Sequence, residues 1–201
     1  MAAQRHIQTP TTTGRHSDEA VLDAVRASVL AVGVRRTTLT DVARRAGVSR
    51  MTLYRRWGDV DRLVRDLLTR EFDRLVGQLP AAHDRAGLVR AVVDAVAALR
   101  AEPLFARVIA TDSDMLVPYV TERLGETQHA AAALLTAGIR AAQAGGSVRA
   151  GDPDRCAYAV LLMAQSFVLS AQTVAEHLDP AALDAELAHA LDGYLRPREL
   201  G

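Results

Sequence analysis

The chain has 201 residues with 24 arginines, no lysine and 24 aspartates and glutamates; hydrophobic residues make up 49% and aromatics 4%. No apolar run approaches the roughly eighteen residues a bilayer span needs, and nothing at the start resembles a secretory leader, so the composition fits a cytoplasmic protein of one or two helical domains. The single Cys156 excludes an internal disulfide framework, and the zero net charge hides an asymmetry: residues 1–74 carry net +5 and residues 75–201 net −5.

In chain order, residues 1–16 are polar and Thr-rich, with Pro10 and Gly14, and read as a flexible arm whose Arg5 and Arg15 are candidates for a minor groove. A first helix is expected from about Asp18 to Ala31, with Val21, Val25, Val29 and Val32 at helical spacing and Gly33 ending it. Thr37, Thr38 and Thr40 then gather where a helix start needs a hydroxyl cap, and Thr38 with Asp41 has capping-box spacing. Val42, Ala43 and Ala46 give the next short helix a small apolar face; Gly47 supplies the stop and Ser49 the following cap.

The next helix, Arg50 to Trp57, turns Leu53 and Trp57 inward at i, i+4. Arg50, Thr52, Tyr54, Arg55 and Arg56 are left on its remaining surface. These side chains suit phosphates and base edges, and two short helices joined by so tight a turn form a helix-turn-helix. The motif lies in the basic part of the chain, as duplex binding requires.

A fourth helix, capped by Asp59 and running to Leu79 before Pro80, reads as a linker of about twenty residues, about 30 Å long. Beyond it the apolar periodicity is helical throughout. Helices are expected at about Asp84 to Ala101, Pro103 to Thr111, Val117 to Ala144, Pro153 to His177 and Pro180 to Leu195, with three prolines at first-turn positions. The 153–177 segment is apolar round most of its circumference, so it needs cover on several faces. Tyr158, Leu162 and Leu169, with Leu183, Leu187 and Leu191 of the last helix, are the candidate dimer interface. Phe105, Ile109, Met115, Tyr119, His129, Met163, Gln165 and Phe167 are candidates for a ligand cavity. Such a lining has little fixed charge and favours an apolar or neutral effector.

Thr37 to Ala43, Ala46 to Ser49, then Thr52-Leu53-Tyr54 and Trp57 resemble the DNA-binding signature of the TetR (tetracycline-repressor) family. The resemblance covers about the first third of the chain and implies DNA contacts from Thr38 and Thr40 of the preceding helix and from Arg50, Met51, Thr52, Tyr54, Arg55 and Arg56 of the recognition helix, with Arg45 and Ser49 completing the candidate DNA-contacting set. It implies an all-α fold: a three-helix helix-turn-helix head at 17–60 behind the arm at 1–16, a linker helix, and a helical ligand-binding and dimerisation domain within 61–201. It also implies a homodimeric repressor that binds a near-palindromic double-stranded DNA operator and is released by a small-molecule effector. The alternative is a DNA-binding regulator without an effector, whose body binds a protein partner.

Two positions depart from the family pattern. Met51 stands where a small residue is common, and either reads a thymine methyl or limits how deeply the helix enters the groove. Val60 stands where a lysine usually meets a phosphate. No catalytic residue, metal or cofactor is assigned. The six histidines lack metal-binding spacing, and the nucleophile-elbow, phosphate-loop and cysteine–metal motifs are absent.

Overall fold

A computed structural model describes residues 12–78, 81–112 and 125–197, with side chains from residue 18 onward, and all regular structure among the described residues is helical. The chain divides into two units, Met1–Leu68 and Thr69–Gly201.

In the first unit α1 spans Thr12–Val32. Val21, Val25 and Val29 are buried along one stripe, and Ser28 joins the same face because its hydroxyl donates to the Ala24 carbonyl at 2.9 Å. The helix starts at Thr12, so residues 12–16 are helical rather than part of the arm. Extending a helix anchored by that valine stripe is far cheaper than nucleating one, and no proline intervenes after Pro10. The rest of the expected arm, Arg5 included, lies outside the described residues, as does the Arg15 side chain. Val32 is partly exposed rather than a fourth member of the stripe.

Helices α2 (Leu39–Ala46) and α3 (Arg50–Trp57) complete the three-helix core, with α2 packed on both α1 and α3. Val42, Leu53 and Trp57 are buried like the α1 valines, and so are Leu63, Val64 and Leu67 from the start of α4 (Val60–Val76). Trp57 buries its ring and donates its indole N–H to Asp66 Oδ2 at 2.9 Å, which avoids the cost of an unsatisfied buried donor. Asp59 caps α4 by accepting from the Arg62 N–H at 2.7 Å. The helix stops at Val76 rather than Leu79, and at about 25 Å it is shorter than expected. Gly77 and Gln78 are exposed, and neither brings apolar surface to offset glycine's low helix propensity. The division between the two units falls within α4.

The second unit contains α5 (Arg85–Ala101), α6 (Pro103–Thr111), α7 (Glu126–Ala144), α8 (Pro153–Leu169), a 3-10 turn (Ala171–Val174) and α9 (Pro180–Leu195). Asp84, Glu102, Asp152 and Asp179 each cap the helix that follows, and Pro103, Pro153 and Pro180 hold first-turn positions. Leu88, Val92 and Val96 of α5 pack with Ile139 of α7, Ala157 and Val160 of α8, and Leu187, Leu191 and Leu195 of α9. Gly138 lets α7 approach α5 closely, since a Cβ there would lie 2.8 Å from Leu88 Cδ2.

Two expected helices end differently. The 117–144 helix begins at Glu126, because Gly125 before it is extended (φ −83°, ψ 175°); residues 113–124 lie outside the described residues. The 153–177 helix ends at Leu169, where the apolar pattern gives way to Ser170, Gln172 and Thr173. The Thr173 hydroxyl donates to the Ser170 carbonyl at 2.7 Å, a local bond that competes with helix continuation.

Candidate nucleic-acid interface

The helix-turn-helix is built by its caps. Thr38 is the N-cap of α2: its Oγ1 accepts from the Asp41 N–H at 3.1 Å and donates to Asp41 Oδ2 at 2.7 Å. The short Asp41 side chain thus closes the box through the hydroxyl rather than the backbone. That hydrogen bond, with help from Arg44 and against slight desolvation, holds the Asp41 carboxyl below its ordinary pKa. Gly47 ends α2 in the left-handed region (φ 67°) with its N–H on the Ala43 carbonyl, a conformation that penalises any Cβ. Ser49 then caps α3: its Oγ accepts from the Thr52 N–H at 3.0 Å and lies 2.8 Å from Thr52 Oγ1.

These caps hold α3 with Leu53 and Trp57 buried and the opposite side open. At 100° per residue, Met51 and Arg55 lie on the crest opposite the Leu53–Trp57 seam, with Thr52 on one flank and Arg50 and Tyr54 on the other. Met51 is 69% exposed and Tyr54 59%. Arg45, Arg50 and Arg55 are exposed, and among the described residues they form no ion pair. Thr40 is exposed near the start of α2. Arg56 behaves differently. Its guanidinium pairs with Asp18 of α1 and lies 5.0 Å from the centre of the Trp57 ring, so it is turned back onto its own unit, away from the crest where the sequence pattern grouped it.

The remaining candidate residues are dispersed. Met163 and Phe167 pack against the core of the second unit; Phe105 and Ile109 of α6 are partly buried; Gln165 accepts from Gln128 Nε2 at 3.2 Å. His129 lies on the surface, beside Tyr158, in an open groove between α7 and α8 that also holds Thr136, Arg140 and Asp154. Met115 and Tyr119 lie outside the described residues.

The residues expected at a dimer face separate into buried and exposed groups. Leu183, Leu187 and Leu191 are buried inside their own unit, because α9 packs on α5 and α8 and turns its leucine stripe inward. Leu169 is only partly exposed. Among the described residues, the large outward apolar side chains of this unit are Leu162 (63% exposed) and Tyr158 on α8, joined by Leu134 (60%) on the adjoining α7. Leu134 was hidden in the sequence by its alanine-rich neighbours.

Sequence reading also missed Glu71, which is buried in α4. Burial pushes its carboxyl up, but hydrogen bonds from Arg70 and Arg74 outweigh that and hold its pKa below the ordinary value. Arg74 also reaches Glu102 at 3.5 Å, which ties α4 to the start of α6. Cys156 is buried in the core, and among the described residues no group of His, Cys, Asp or Glu is placed to hold a metal ion. No helix among them is long and apolar enough to cross a membrane.

Residues 21–67 match the model of the tetR family of bacterial regulatory proteins. An uncharacterised HTH-type transcriptional regulator of Mycobacterium bovis is 43% identical over 176 residues, covering 87% of this chain and 92% of its own. Among solved structures, a TetR-family transcriptional regulator from Pectobacterium atrosepticum is similar with a TM-score of 0.69 at 22% identity, over 94% of this chain and 100% of that one. The transcriptional repressor QsdR of R. erythropolis is similar with a TM-score of 0.65 at 15% identity, over 94% and 100%. At these identities the two structures bear on the fold alone.

Proposed function

The chain belongs to the TetR family of bacterial transcriptional regulators, and from that premise we propose that it is a repressor that binds a near-palindromic operator as a homodimer and releases it when a small molecule occupies the second unit. The observation that carries this reading is the pair of short capped helices with an exposed crest. A helix fixed at both ends and bearing Arg50, Met51, Thr52, Tyr54 and Arg55 outward is a rigid object for a major groove. Arg50, Arg55 and Arg45 neutralise phosphates, while Thr38, Thr40, Ser49 and Thr52 present hydroxyls and backbone at the two helix starts. Arg56 serves the head itself.

A two-fold operator needs two heads about 34–36 Å apart, and the second copy is assigned to the α7–α8 face. Leu134, Tyr158 and Leu162 form an apolar patch among alanines there, and burying it against the same patch of a partner removes the cost of exposing it. Effector release then follows from linkage: a ligand that favours a different separation of the heads lowers operator affinity by its differential affinity for the two states. Phe105, Ile109, Met163 and Phe167 favour an apolar or neutral effector.

The test is selection of bound DNA from a random pool, followed by footprinting. A protected two-fold sequence, with affinity lost in Arg50→Ala and Tyr54→Ala, supports the reading. A footprint without two-fold symmetry, or a mobility shift indifferent to both substitutions, overturns it. Thermal shift across a metabolite panel tests the effector, which must raise the melting temperature and lower operator affinity together.

A further inference from the structure

Met51 has the greatest exposure among the large hydrophobic side chains of the described residues, and it sits on the outward crest of a short helix that also carries Arg50, Arg55 and Arg56. In the isolated head this position is unfavourable: the side chain is mostly exposed and adds apolar surface to a helix that carries Arg50 and Arg55. The α3 backbone does not require it, since any good helix former serves at the second position of a helix capped by Ser49.

The crest is the part of the helix that goes deepest into a groove, and the early residues of a recognition helix are those that meet base edges. On the floor of the major groove almost everything offered is a hydrogen-bond donor or acceptor; the apolar feature is the C5 methyl of thymine. We infer that Met51 is a specificity-determining residue that packs its thioether end on a thymine methyl in each half-site, an assignment that rests on the operator-binding reading above. Met suits this contact because its unbranched, polarisable side chain adapts to a methyl without demanding one fixed rotamer. Arg55, one turn further along the same crest, fixes the depth at which the contact is made.

Replacing thymine by uracil deletes only that methyl and keeps the base pair and its hydrogen-bonding groups. With the selected operator, each thymine is replaced in turn by uracil in both half-sites, and binding is measured for the intact protein, Met51→Ala and Met51→Leu. At one thymine per half-site, uracil weakens the intact protein by about fourfold per half-site, the value of one buried methyl. At that thymine Met51→Ala shows no loss, and Met51→Leu, which keeps an apolar end, retains sensitivity. Met51 is exposed, so its truncation leaves the head folded, and unchanged thermal unfolding of the variant verifies this. An operator whose thymines all respond alike in the intact protein and in Met51→Ala overturns this inference alone. A pool from which no sequence is enriched overturns the operator-binding reading and this inference with it.

Discussion

Arg55 and Arg56 are neighbours in sequence with identical chemistry, yet the structure gives them different work. Arg55 stands on the crest; Arg56 pairs with Asp18 and lies over Trp57. The salt dependence of DNA binding separates them, because each phosphate neutralised releases condensed counterions and adds about 0.9 to the slope of log affinity against log salt. Arg55→Ala is expected to flatten that slope by about one unit per head, and Arg56→Ala to leave it nearly unchanged while lowering thermal stability slightly. Equal slopes for the two variants would refute the distinction. In the sequence the two residues were legible only as outward-facing; which one the head keeps depends on Asp18, 38 positions away.

At the scale of elements, caps decided more than propensity. Arg50 to Trp57 is eight residues long and too short to persist as a helix in water, so it exists because Ser49 satisfies its first turn and Leu53 and Trp57 are buried. Ser49→Ala is expected to cost about 1 kcal/mol of stability, read from the urea midpoint at unchanged m-value. Fraying at the helix start also moves Arg50 and Met51, so operator affinity falls with it; affinity unchanged at the full stability loss would show that the cap does not position the crest. Helix starts were mostly legible, since Thr38, Ser49, Asp59, Asp84, Asp152 and Asp179 carry their caps in their own side chains. Helix ends were less so. The stops at Val76 and Leu169 come from Gly77 and from the Ser170–Thr173 bond, weak local preferences that take effect where the apolar pattern lapses.

At the scale of the whole molecule, the outward face of α7 and α8 is where association is expected. Leu162→Glu is predicted to give a folded monomer with thermal stability of its subunit nearly unchanged, since the side chain is largely exposed, and operator affinity sharply reduced. Sedimentation reads the mass; a variant that remains dimeric would exclude this face, and an intact protein that is monomeric but binds a second protein through it would favour a heterologous partner. Acid sensitivity provides a second prediction. The Glu71 pKa is below its ordinary value of 4.5 in the folded chain, so its contribution is fully present above that value and is lost as pH falls through the folded one. Melting temperature measured from pH 6 to pH 3 is expected to fall less steeply in that window for Glu71→Gln, at the cost of lower stability at neutral pH. Parallel curves would show that Glu71 has the same affinity for protons folded and unfolded.

The sequence by itself determined the all-helical fold, the helix-turn-helix and its caps, and the outward and inward faces of α3. All of these follow from interactions within one or two turns of the chain, where spacing and side-chain reach settle the outcome. Only the tertiary structure decided that Leu183, Leu187 and Leu191 belong to the core while Leu134 joins Tyr158 and Leu162 outside, that Arg56 is retained by the head, and that Glu71 is buried between two arginines. An apolar stripe states that a helix face will be covered but not by what, because burial against a helix of the same chain and burial against a second copy remove the same area from water.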